Sequence, residues 1–295
     1  MLYGDTRPVH AKAVARANTL GLRVHVFEEG YMRLFWVAHE RGGSNGNSRL
    51  MNTTVSEKQT TLERSDMEAP MPQSHWGDMR QHVFCGALYH WFVIFRNGQY
   101  RHFRTHRNIP VIKEFRLYVK RLLLMPMQGI KRHIATWRIR NGGFPFHLAL
   151  LQLELDSSFQ MHSHFDTIPD FLELVIRDFA KGAPQHHHLV FKAHPLVDGR
   201  VPVRKYLKEM AAQFGVSDRV HYVRGAKLAR LLNDARTAIT MNSTAGQQVL
   251  WRGIPLKIFG SAVYSKPEFI SYPPLVQFFK AAERPNKRAY KDYRR

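Results

Sequence analysis

From Phe146 onward the apolar positions fall into two alternating periods. Short apolar runs at Phe146–Leu153, Leu189–Phe191, Val220–Val223, Thr237–Met241 and Pro255–Phe259 have the length and composition of buried strands. Between them, Ile168–Ala180, Val203–Phe214, Ala226–Asn233 and Gln247–Trp251 carry helical spacing. Pro169 stands near the start of the first helix, and Gly215 and Gly253 close the second and fourth. Regular alternation of strand and helix predicts a doubly wound parallel α/β domain. The chain opens on a fainter copy of the pattern. Met1–Gly4 reads as a strand end, Pro8–Leu20 as a helix with Ala11, Val14, Ala15 and Ala17 broadly on one side, and Leu22–Phe27 as a strand running into Glu28-Glu29-Gly30-Tyr31. The chain thus starts inside a βαβ unit, and the expectation is an amino-terminal domain truncated before its first strands.

Between these regions Arg41–Ser48 is a turn-rich loop and Met51–His75 is polar and irregular. Gln81–Arg96 and Pro110–Leu124 read as helices of mixed apolar and basic character, while Arg96–Arg107 and Lys131–Arg140 add dense positive charge. These basic runs fit a solvated face or a surface for acidic lipid. The expected division is 1–145 for a partial amino-terminal Rossmann-like domain with a helical, basic insertion, 146–282 for a nucleotide-binding Rossmann-like domain, and 283–295 for a basic, frayed tail.

The chain has 295 residues, 44% of them hydrophobic, so it can bury a full core. The net charge of +21 favours an anionic partner. Nucleic acid is the generic candidate, but no helix-turn-helix, zinc-finger or RNP-type pattern accompanies the charge. The single cysteine, Cys85, excludes an internal disulfide framework and fits a reducing compartment. Met1–Leu20 is polar and basic, unlike a signal peptide, and the longest apolar run, Val83–Phe95, is shorter than the ~20 residues of a membrane span. The expected location is the cytoplasm, peripheral to the inner membrane surface.

Candidate chemistry gathers where predicted strands end. Arg236–Gly260 reads as strand, tight turn, helix and strand, with Asn242, Ser243 and Thr244 in the turn. Ser243 or Thr244 is the expected N-cap, and free N–H groups at the helix start would add an anion site. Lys192 and His194 follow another strand, where an ammonium and an imidazole can hold a phosphate. Gln152, Glu154 and Asp156 share one side of an extended segment, and Glu28 and Glu29 follow a separate strand. Carboxylates facing across a cleft suit glycosyl transfer or hydrolysis. His186-His187-His188 cannot converge on one metal ion, since neighbours on a strand point to opposite faces, and no metal is expected.

Six stretches carry a resemblance over Tyr3 to about Tyr264: YGDTRPVHAKAVA, VHVFEEGYMR, ERGGSNGNS, LQLELDSSFQMHS, FKAHPLVDG and TMNSTAGQQVLWRGIPLKIFG. Together they resemble the capsular polysaccharide export and biosynthesis proteins of Gram-negative bacteria, of the KpsS/LipB type. The chain departs from that pattern at Leu34 and His39. The resemblance implies a GT-B-like pair of Rossmann-type domains and a retaining β-Kdo transferase. It implies the donor CMP-Kdo, no further cofactor, and a lyso-phosphatidylglycerol acceptor at the inner-membrane surface beside other capsule assembly proteins. Lys192, His194, Ser243 and Thr244 would contact CMP or the donor carboxylate, with Asn242 and Gln152 as further donor-binding candidates. Asp156 would attack the anomeric carbon, and Glu29 would be the acceptor-side acid/base. A non-catalytic assembly factor of the same fold and a nucleic-acid-binding protein are the competing expectations.

Overall fold

The structure, a computed structural model, describes residues 1–30, 37–55, 79–99, 109–153, 159, 161, 163–195, 197, 199, 201–224 and 227–294. The chain forms two compact units, Met1–Pro72 with Thr136–Arg295, and Gln73–Ala135.

The larger unit opens with β1 (Leu2–Tyr3), α1 (Pro8–Thr19), β2 (His25–Glu29) and β3 (Val37–Arg41). β1 lies parallel to β2, as the opening βαβ pattern predicts. β3 pairs antiparallel to β2 and is an element the pattern does not predict, because charged residues interrupt its apolar positions. The loop after β3 folds around the buried Asp5 carboxylate, which accepts bonds from Ser44 N (3.0 Å), Ser44 Oγ (2.8 Å) and Asn47 Nδ2 (3.0 Å). Three donors satisfy a charge that would otherwise be costly to bury.

In the smaller unit, α2 (Met79–Phe95) and the first part of α3 (Val111–Arg140) are helical as expected, though α3 continues well beyond Leu124 and through Pro126. Gly86 makes room for the Tyr118 ring, which stacks on His90 at 5.0 Å between ring centroids. Among the described residues no helix is long and apolar enough to cross a membrane.

The rest of the larger unit alternates as predicted through β4 (Phe146–Leu150), α4 (Ile168–Gly182), β5 (His188–Lys192), α5 (Val203–Gln213), β6 (Val220–Val223), α6 (Leu228–Asp234), β7 (Ala235–Thr240), α7 (Gly246–Trp251) and β8 (Leu256–Ile258), and two helices that the pattern does not predict follow, α8 (Leu275–Lys280) and α9 (Lys287–Arg294). The five strands are all parallel in the order β6-β5-β4-β7-β8. Central β4 is buried along its whole length, which explains its unbroken apolar run. Thr167 and Asp170 close a capping box on α4, whose Phe171, Leu172, Val175, Ile176 and Phe179 form its core-facing stripe. Burying each such side chain contributes about 1.5–3 kcal/mol. Gly182 lets α4 approach the α8 backbone, since a Cβ there would stand 2.8 Å from Val276 Cα.

The segment expected to be a frayed tail is instead ordered as α9. Tyr290 and Tyr293, three residues apart, are buried beside Phe269, and their hydroxyls donate to Gln247 O (3.3 Å) and Val263 O (3.0 Å). The basic composition hid two aromatic anchors on one face.

Candidate functional site

In the order β6-β5-β4-β7-β8 the chain winds outward from β4 in one direction, then returns to add β7 and β8 on the other side. The switch lies between β4 and β7, and its carboxyl edge is where open α/β sheets hold ligands. Leu150 of β4 is level with Lys192 of β5 and Thr240 of β7, so the residues that follow these positions share one edge.

Two residues beyond that level, Gln152 and Asn242 join across the switch. Gln152 Nε2 donates to Asn242 Oδ1 at 2.7 Å, and Asn242 N donates to Gln152 Oε1 at 3.1 Å. Both side chains are buried. The pair holds the two strand ends together and forms a rigid floor for whatever binds above it.

Lys192 is 5% exposed. Its Nζ donates to the adjacent Ala193 carbonyl at 3.3 Å, and among the described residues it has no carboxylate partner. Burial pushes its ammonium down to about 8. A buried cation of this kind is costly until an anion reaches it. His194, two residues on, is half-buried.

The turn after β7 differs from expectation in one respect. The N-cap of α7 is Ala245, not Ser243 or Thr244. Ser243 Oγ accepts from Ala245 N at 3.2 Å, Thr244 is exposed, and the Ser243 carbonyl also receives the hydroxyl of the buried Tyr264. The N–H groups of Gly246, Gln247 and Gln248 bond to the carbonyls of Ser243, Thr244 and Ala245 at 2.9–3.1 Å. Tight i→i+3 closure therefore occupies the donors expected to be free for an anion. Gly246 is required by close approach, since a Cβ there would lie 2.5 Å from the Tyr264 hydroxyl. The positive charge at this edge comes from Lys192 rather than from the helix start.

Of the two candidate acids, Asp156 and its neighbour Glu154 lie outside the described residues. Glu29 ends β2 and is exposed. Adjacent Glu28 is half-buried, with Oε1 accepting from Glu29 N and Oε2 from Asn45 Nδ2, both at 3.2 Å. Burial raises its carboxyl above the ordinary range. Sequence reasoning named Glu28 beside Glu29 but gave the acid/base role to Glu29, because burial is not visible in a doublet. Among the described residues no cluster of three His, Cys, Asp or Glu side chains is arranged to hold a metal ion. His187 instead meets His147 (3.0 Å) and His188 meets His221 (2.8 Å).

The model of the family described as capsule polysaccharide biosynthesis protein matches residues 1–295. The chain is 28% identical to the capsule polysaccharide export protein KpsS of Escherichia coli, over 100% of this chain and 75% of that protein. It is 29% identical to the capsule polysaccharide modification protein LipB of Neisseria meningitidis serogroup B, over 99% of this chain and 70% of that one. Among solved structures, KpsC of Thermosulfurimonas dismutans, a beta Kdo 2,7 transferase, aligns with TM-score 0.46 at 14% identity, over 99% of this chain and 74% of that one.

Proposed function

The chain belongs to the capsule polysaccharide biosynthesis family, and from that premise we propose that it is a glycosyltransferase moving Kdo from CMP-Kdo to a lyso-phosphatidylglycerol-type acceptor in capsule glycolipid assembly. Buried Lys192, at the carboxyl edge of the parallel sheet on the strand next to the switch and without a carboxylate partner among the described residues, is the observation that carries the reading. The donor phosphodiester bears one negative charge, and the departing CMP bears two. A fixed cation at that position stabilises the transition state more than the ground state, which is the condition for raising the rate. His194 lies beside it in sequence to share the phosphate, and the Gln152–Asn242 pair fixes the floor. The Kdo donor itself follows from the motif resemblance.

In this reading Asp156 attacks the anomeric carbon as CMP leaves, giving a glycosyl-enzyme ester that the acceptor hydroxyl then displaces with retention. Glu28 or Glu29 takes the acceptor proton. Mass spectrometry after incubation with CMP-Kdo is expected to show a Kdo adduct on the peptide containing Asp156. The Asp156→Asn protein should lose both adduct and turnover while still binding CMP. An active enzyme whose Asp156→Asn variant turns over at a comparable rate would end this assignment.

The helical unit supports work at an acidic membrane surface. α2 exposes Phe84, Tyr89, Trp91, Phe92 and Phe95, and α3 exposes Leu123 and Ile130 beside Lys113, Arg116, Lys120 and Lys131. Aromatic side chains and cations together suit the boundary between headgroups and acyl chains. Co-sedimentation with phosphatidylglycerol vesicles is expected to weaken about tenfold or more in Phe92→Ser/Phe95→Ser, given about 1.5–3 kcal/mol for each buried aromatic. Sedimentation equal with zwitterionic vesicles, or unchanged in that variant, would contradict the membrane role.

A further inference from the structure

A second site lies at the opposite edge of the five-stranded sheet from Lys192. There, the amino-terminal ends of β4, β7 and β8 and the carboxyl-terminal ends of α6, α7 and α8 line an open cavity of about 860 Å³. Arg236, Arg252, Lys280, Arg284 and Lys287 line it, and no carboxylate does. The cavity falls within the roughly 300–1,000 Å³ of small-molecule sites.

Charge in the cavity is only partly neutralised from within. Arg252 donates to Gln248 O at 3.0 Å and to Asn233 Oδ1 at 3.4 Å, so it serves a backbone carbonyl of α7 and the Asn233 side chain near the end of α6. Arg236, Lys280, Arg284 and Lys287 are in no ion pair among the described residues. Asp234, the nearest acid in sequence to Arg236, is taken by Arg140 at 2.7 Å. Glu283, between Ala282 and Arg284, is exposed and does not line the cavity. Four exposed cations from β7, the end of α8 and the start of α9 line one cavity, and an anion that joins them would relieve their solvent-screened repulsion. The wall beside them is aromatic: Trp251 is 44% exposed, and Phe278 and Phe279 lie behind.

We propose that this cavity binds a phosphate-bearing ligand through Arg236, Lys280, Arg284 and Lys287, with an apolar or ring portion against Trp251, separately from any ligand at the Lys192 edge. Phosphate is the favoured oxyanion because two lysines and two arginines line the one cavity, a set that suits a multiply charged group more than a lone carboxylate. The ligand is either a soluble phosphate ester or the headgroup of an anionic lipid, and both present the same chemistry.

The test uses the full chain, with inorganic pyrophosphate, glycerol 3-phosphate and phosphatidylglycerol vesicles as probes. Calorimetry is expected to show that Arg284→Gln/Lys287→Gln weakens pyrophosphate tenfold or more, and that Arg236→Gln/Lys280→Gln does the same. These side chains border the open cavity, and unchanged melting curves would confirm that each variant is folded. Lys192→Met should leave this affinity intact. Glycerol 3-phosphate binding that both double variants lose points to a soluble ester. Vesicle binding that both lose, and that glycerol 3-phosphate does not displace, points to a lipid headgroup. Affinity for all three probes unchanged in both double variants overturns the proposal. So does pyrophosphate binding that vanishes in Lys192→Met and survives in the cavity variants.

Discussion

In Lys192→Met, affinity for CMP is expected to fall about tenfold to more than a hundredfold while the unliganded protein becomes more stable. The first effect follows from removing a hydrogen bond to a charged group, about 1.5–3 kcal/mol. The second follows from burial. A lysine lowered from 10.5 to about 8 holds its proton less well in the folded chain than in the unfolded one. That difference amounts to roughly 3 kcal/mol of lost stability at neutral pH. The penalty is fully present below pH 8 and fades as pH rises through 8 toward 10.5, where the unfolded chain also loses the proton. Methionine keeps the length of the side chain and removes the charge. At equal CMP concentration the melting temperature of the parent protein should rise more than that of the variant. A variant that binds CMP equally well, or melts lower than its parent at pH 7, would contradict the role given to Lys192.

Acid lability is the second large effect, and it arises at the other edge of the same sheet. His147 is buried, with Nδ1 2.8 Å from Thr237 Oγ1 and Nε2 3.0 Å from His187 Nδ1. Burial, then the neighbouring His187 and Arg236, lower His147 to about 3. His187 is lowered to about 4, again chiefly by burial. The unfolded chain takes up protons near pH 6.5, whereas the folded chain resists until about pH 4 and then 3. Stability is therefore complete above pH 6.5 and declines as pH falls through that window. For His147 the loss is on the order of 4 kcal/mol. Glutamine at this position can still bond Thr237 and His187 but cannot titrate. Denaturant melts of His147→Gln should show a visibly flatter pH dependence between 6.5 and 4 than the parent. Parallel slopes in the two proteins would mean that carboxylates, not this pair, govern acid unfolding.

The pattern of the chain carries much of the site. Because strand and helix alternate, Lys192 and Asn242 are expected just past a strand and Gln152 near the carboxyl end of one, and parallel strands bring their carboxyl ends to one edge. Helix stops were equally legible. Gly215 and Gly253 follow their helices at φ +67° and +69°, where a side chain would be strained. Six motifs in order pointed to the family whose model matches the full chain.

Other features depend on distance in space rather than in sequence. Gln152 and Asn242 are 90 residues apart, and their pairing requires β4 and β7 to be neighbours, which local periodicity does not specify. A loop composition cannot show that Ser44 and Asn47 close on Asp5, roughly 40 residues earlier. A serine and threonine ahead of a helix look like caps, yet the turn closed on itself and left Ala245 in that place. Basic residues at 236, 280, 284 and 287 look like an ordinary solvated surface until the fold sets them around one cavity. Sequence by itself determined the alternating elements from β4 to β8, their parallel arrangement and the family, because these rest on short-range periodicity and motif order. Tertiary structure decided which charges are buried and which are paired, because desolvation and Coulomb energies depend on neighbours that only the folded chain supplies.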